Sequence, residues 1–164
     1  MKTIVWQQFG AAVDMLENAM LACPEDLWGN RIGYSEFWYI SFHTLFFLDL
    51  YLSDSDKGFI PPEPFTLDEL DERGLLPKRI YSKQELLKYI EHGRDKCKRT
   101  IIAMTEEKAN KRCGFKWLDI SVAETLLYNM RHVQHHAAQL NLMISRTLGS
   151  APRWVRKTNQ ALTK

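Results

Sequence analysis

Residues 37–52, FWYISFHTLFFLDLYL, constrain the fold more than any other part of the chain. As a helix this segment is apolar on every side, so it needs burial on every side. It contains His43 and Asp49 and falls short of the roughly 20 residues that a bilayer requires, so it reads as a buried helix rather than a membrane span. A second subunit could supply part of the cover.

The rest of the chain shows what else can cover it. With 164 residues, 45% hydrophobic and 26% charged, the chain can bury one core, which predicts a single domain over residues 1–164 and excludes wholesale disorder. Ile4, Val5, Phe9, Ala12, Val13, Leu16, Ala19 and Met20 recur at helical spacing and predict a first helix over residues 3–22, stopped by Pro24. The apolar segment forms a second helix over 35–52, with Ser35 as its N-cap and the Ser53–Asp56 breaker cluster beyond. Residues 54–81 are polar and carry Pro61, Pro62, Pro64 and Pro77, so they read as a crossover with at most one short helix at 67–73. Ser82 and Glu85 form a capping box that opens a third helix running to about Thr105, weakened slightly by Gly93. After an irregular segment, a second box at Ser121 and Glu124 opens a fourth helix, ending at Leu148 before Gly149. The fold class is therefore all-α: a four-helix bundle, up-down-down-up, with a long crossover between helices 2 and 3.

A net charge of +2 is too mild to imply a polyanionic partner. Arg146, Arg153, Arg156, Lys157 and Lys164 read as a solvated basic tail from about residue 150, not as a nucleic-acid arm. Cys23, Cys97 and Cys113 are odd in number and lack C-x-x-C spacing, which argues against a disulfide framework and a thiolate zinc site. Gln7, Gln8, Asp14 and Glu17 interrupt the apolar core that a signal peptide would need. A cytoplasmic location is expected.

The chemistry lies in the fourth helix, where His132 and His136 stand one turn apart on one face. His135 points about 80° away from the direction midway between them, at roughly 100° per residue, and is the weakest candidate of the three. A third ligand has to come from another helix, and His43, among Phe42, Leu45, Phe46 and Phe47, is costly to bury without a partner. Spacing alone leaves two readings open: satisfied core histidines, or a metal site with an open position. Position 133 is Val, not the glutamate of an H-E-x-x-H protease, so peptide hydrolysis is disfavoured. His92 has no histidine partner at ligand spacing and reads as a surface residue, while the five tryptophans read as core.

The mid-helix His43, the long crossover and a last helix reading H-x-x-x-H-x-x-Q together resemble the DinB/YfiT-like superfamily over essentially the whole chain. The usual run there is N-H-x-x-x-H-R-G-Q; His132, His136 and Gln139 match it, while Arg131, Ala137 and Ala138 depart from it. The resemblance implies a bundle, often homodimeric, that holds zinc or nickel through His43, His132 and His136. It also implies, from characterised members, a transferase or isomerase that uses a low-molecular-weight thiol such as bacillithiol or mycothiol. Gln139 is then a candidate to orient a ligand histidine or a substrate, and Tyr39, one turn before His43, is a second. The leading expectation is thiol transfer to a small electrophilic substrate. A metal-activated hydrolase and a non-catalytic metal- or ligand-binding bundle are the alternatives.

Overall fold

The computed structural model describes residues 1–32 and 35–163. Helices dominate it: α1 (Lys2–Ala22), α2 (Glu25–Trp28), α3 (Phe37–Tyr51), α4 (Lys83–Ala103), α5 (Glu106–Asn110) and α6 (Val122–Leu148). Two short strands, β1 (Arg31–Ile32) and β2 (Ser35–Glu36), pair antiparallel just before α3. None of the described helices is long and apolar enough to cross a membrane.

Both capping boxes form as the sequence predicts. Ser82 and Ser121 each accept from the backbone N–H three residues on, while Glu85 and Glu124 bond back to the cap N–H, satisfying donors that a helix start leaves free. Gly149 closes α6 at φ 77°, a left-handed conformation that an L side chain rarely adopts. Ser35 is not an N-cap. Residues 35–36 are drawn into the pairing with 31–32, so α3 starts two residues later with Glu36 as its cap residue, making no side-chain cap bond.

The four long helices are α1, α3, α4 and α6. α1 and α3 each pack against both α4 and α6. Phe42, Leu45, Phe46 and Leu48 of α3 meet Phe9, Val13 and Leu16 of α1, Ile90 and Ile101 of α4, and Val133 and Leu140 of α6 in one core. Eleven of the fifteen α3 residues are buried within the chain, so the apolar segment needs no second subunit to cover it. The exceptions, Tyr39, Ile40, His43 and Phe47, are half-buried, and three of them follow one another at four-residue spacing along one face.

Charged struts also fix the helices. Arg94 on α4, 1% exposed, pairs with Asp14 and Glu17 of α1 and with Glu91. Asp49 of α3, equally buried, accepts from Lys96 Nζ at 2.5 Å and from the Tyr89 hydroxyl at 3.1 Å. His92 Nε2 lies 3.4 Å from the same carboxylate, so this residue is half-buried beside α3 rather than on the open surface. At the ends, Lys2 Nζ donates to the Ile102 carbonyl and Lys83 Nζ to the Cys23 carbonyl.

The crossover from α3 to α4 contains a single 3-10 turn, Asp68–Leu70, within the span where the sequence predicts a short helix. It is anchored by buried Phe59 and Phe65, the latter stacked on Tyr89 with ring centroids 4.3 Å apart. The tail after α6 differs from a simple solvated end. Thr158 is buried, its N–H donates to the Gln7 carbonyl at 3.0 Å, and Trp6 Nε1 donates to the Gln160 carbonyl at 2.7 Å. The cations Arg153, Arg156 and Lys157 still face solvent; Lys164 lies outside the described residues.

Candidate metal centre

His43 from α3 and His132 and His136 from α6 converge, their ligand-capable nitrogens all within 4.8 Å of one another. The helical period puts the two α6 imidazoles on one face, with ring centroids 4.5 Å apart, and His43 meets both across the interface at 5.4 and 5.0 Å. One polar contact helps to set the spacing of the helices. Buried Asn129, one turn before His132, donates from Nδ2 to the Leu48 carbonyl at 3.0 Å, in the last turn of α3 where intrahelical donors run out.

Hydrogen bonds orient two of the rings. Nδ1 of His43 donates to Glu69 Oε2 at 2.7 Å, and Nδ1 of His136 donates to Gln139 Oε1 at 2.6 Å. A neutral imidazole that donates from Nδ1 has its lone pair on Nε2. The freed Nε2 of His43 then faces Nε2 of His132 at 3.4 Å, while His132 Nδ1 is buried without a partner. Three ring nitrogens converging on one point, two of the rings held by Glu69 and Gln139, suit a shared cation. Two nitrogens bound tetrahedrally at about 2.05 Å from one metal are roughly 3.3–3.4 Å apart, the spacing of this pair. The set as a whole is looser than a filled site and close enough for small ring rotations to gather it.

Electrostatics favour the metal-ready form. Burial, reinforced by the neighbouring imidazoles, pushes His132 down to about 3; burial likewise takes His136 down to about 4 despite the opposing bond to Gln139. Both rings are therefore neutral at physiological pH, as metal ligands must be.

His135 is exposed and stays outside the cluster, with its ring 5.0 Å from that of His136. The Tyr39 ring packs 6.4 Å from that of His43, and burial together with the adjacent Glu69 carboxylate pushes its hydroxyl up. Phe47 and Tyr51 continue that face of α3, with Phe47 4.8 Å from His43 and Tyr51 6.4 Å from His132 by ring centroids. Trp6, Trp28 and Trp38 are core, as expected, whereas Trp117 and Trp154 are exposed. The three cysteines are buried, free and absent from the cluster.

Glu69 is the residue that the sequence conceals. It lies in the crossover turn, where no periodicity assigns a facing direction, and its only signal is an acid at the predicted short helix. The three histidines fit a divalent ion: nitrogen donors from two rigid helices, two of them with the outward nitrogen held by a carboxylate or an amide.

A family model described as the DinB superfamily matches residues 5–140. No curated protein and no solved structure gives a significant match. With the match covering most of its length, the chain belongs to the DinB superfamily.

Proposed function

We propose that this protein is a metal-dependent transferase that joins a low-molecular-weight thiol to a small electrophile, with a divalent ion, zinc or nickel, held by His43, His132 and His136. The observation carrying this reading is the cluster itself, three histidines with no fourth His, Cys, Asp or Glu joining them among the described residues. Three protein ligands leave a position for a reactant, whereas a structural site is normally closed by four. A bound divalent ion supplies positive charge that favours the thiolate, the nucleophilic form of a thiol.

The chain's own residues do the rest. Glu69 and Gln139 hold the outward nitrogens of His43 and His136, and Tyr39 and Phe47 give the half-exposed face of α3 an apolar wall against which a small substrate can pack. Because no cysteine of the chain stands in the cluster, the sulfur has to arrive with a cosubstrate. In the transfer, the sulfur–carbon bond forms as the leaving group departs with its electron pair, and the thiol proton passes to water.

The contacts at the helix ends support an up-down-down-up order. Lys2 near the start of α1 reaches the end of α4, and Lys83 at the start of α4 reaches the end of α1, as antiparallel neighbours would. A cytoplasmic location fits three free thiols. The homodimer rests on the family resemblance alone, and a monomeric mass at micromolar concentration would remove it.

The test is metal content by plasma mass spectrometry on protein without a polyhistidine tag, for wild type, His43→Ala and His136→Ala. The expected result is about one equivalent in wild type, lost in both variants. Product analysis with and without added thiol then separates transfer from hydrolysis by bound water, and full turnover in His132→Ala would sink either reaction at this site.

A further inference from the structure

We propose that Glu69 is the positioning residue for His43, and that through this contact the crossover turn and the metal centre stabilise each other. The inference rests on the metal reading above. Glu69 contributes a side chain only 5% exposed from a stretch, residues 66–76, in which no residue is buried as a whole. Besides Leu70, which packs against the core edge, and a long contact from Thr66 to the Tyr81 hydroxyl at 3.5 Å, the inward anchor of this turn is the carboxylate.

Burying a carboxylate is costly unless it is well paired. Oε2 has the His43 Nδ1–H at 2.7 Å and the Tyr39 hydroxyl also bonds to the carboxylate, while Oε1 lies buried outside good hydrogen-bond geometry. A ring N–H and a phenol hydroxyl are modest compensation for a carboxylate so buried. A cation on the opposite nitrogen makes the same N–H a stronger donor, and the carboxylate in turn makes the ring a better ligand and fixes which nitrogen faces inward. Glu69 thus commits Nε2 of His43 to the side where His132 waits.

Linkage makes the effect reciprocal. Whatever factor the Glu69 contact adds to metal affinity, metal binding adds to the closed state of the turn. The turn carries its own reporters in the amides of Leu70, Asp71 and Gly74, which donate to the carbonyls of Leu67, Asp68 and Asp71 at 2.9, 3.1 and 2.9 Å.

The experiment measures zinc affinity by competition with a chromophoric chelator, and amide exchange over residues 66–76 with and without zinc. It compares wild type, Glu69→Ala, Glu69→Gln and, as a control for charge, Glu72→Ala at an exposed position of the same turn. Removal of such a partner lowers affinity about 10–100-fold, so Glu69→Ala should fall in that range. Glu69→Gln, whose amide oxygen still accepts without the charge, should lie between it and wild type. Glu72→Ala should match wild type. In wild type zinc should slow exchange in the turn by a similar factor, and in Glu69→Ala it should not. If Glu69→Ala fails to fold, the Gln variant carries the test. Zinc-binding wild type with both Glu69 variants within twofold of it, and equal protection of the turn, would overturn the role of Glu69 and leave the metal centre standing. Absence of zinc binding in wild type would overturn both.

Discussion

Gly93 sits in the interior of α4 and is buried, and a Cβ built there would lie 2.8 Å from Leu48 Cδ2 and 3.4 Å from its Cγ. Two opposing effects decide what Gly93→Ala does. Alanine is favoured over glycine in a helix interior by about 0.8–1 kcal/mol. Against this, a methyl forced into a packed core costs about 1–3 kcal/mol, and Leu48 is fully buried with no open side to rotate into. The overpacking term wins, for a net loss of about 1 kcal/mol, which in a chain of this size lowers the melting temperature by roughly 2–4 °C. The same substitution in a Leu48→Val background meets no δ-methyl. There the helix term remains alone and the sign reverses, to a gain of up to about 1 kcal/mol relative to Leu48→Val. Urea denaturation of wild type, the two single variants and the double variant closes the cycle. Additivity within about 0.3–0.5 kcal/mol, or a stabilised Gly93→Ala single variant, would refute the claim that Gly93 is there to let α3 approach α4.

Further tests address the tail, the site and pH. A Cβ at Gly10 would meet Thr158 Cγ2 at 2.5 Å, so Gly10→Ala should displace the tail from α1; trypsin should cut at Arg156 and Lys157 faster, with the main melting transition shifting by no more than roughly 2–4 °C. Gln139 is exposed and its bond to His136 is neutral, so Gln139→Ala should lower zinc affinity by up to about tenfold, less than the loss in Glu69→Ala, as read by chelator competition. Burial holds His132 and His136 at about 3 and about 4, below the 6.5 of the unfolded chain. Between those values the unfolded state binds more protons, so the stability of the metal-free protein is complete above about pH 6.5 and declines as pH falls toward 4. A urea midpoint higher at pH 5 than at pH 7 would contradict that assignment.

What could be read from the sequence divides along a physical line. Helix period and capping boxes are local codes, and they located α4 and α6, the end of α6 at Gly149, and the shared face of His132 and His136. His43 was legible for a different reason: an imidazole inside an apolar helix has to find a partner, and the other two histidines were the available pair. Features set by distant contacts were not legible. Ser35 looks like a cap until the chain turns back and pairs it with Ile32, and the tail looks solvated because its cations are, although Thr158 between them docks where Gly10 leaves room. Asp49 and Arg94 carry no local mark of their role in the sequence, yet each is buried and ties two helices together.

The site shows the same division within a few ångströms. Its nitrogen donors stand on helices, where spacing in sequence becomes direction in space. The carboxylate that orients one of them arrives on a crossover whose path is set by Phe59 and Phe65 docking into the core. A position of this kind has no period to betray it. The physical reason to look for it is an unmet demand: a ligand histidine has a second nitrogen, and when that nitrogen is shielded from water some nearby group has to accept its proton. His43 and His136 meet that demand through Glu69 and Gln139, whereas His132 Nδ1 remains without a partner among the described residues. Of the three rings, His132 is therefore the one with no polar contact beyond the cluster to hold it: its polar contact is His43 Nε2 at 3.4 Å, so its tautomer is set from inside the site.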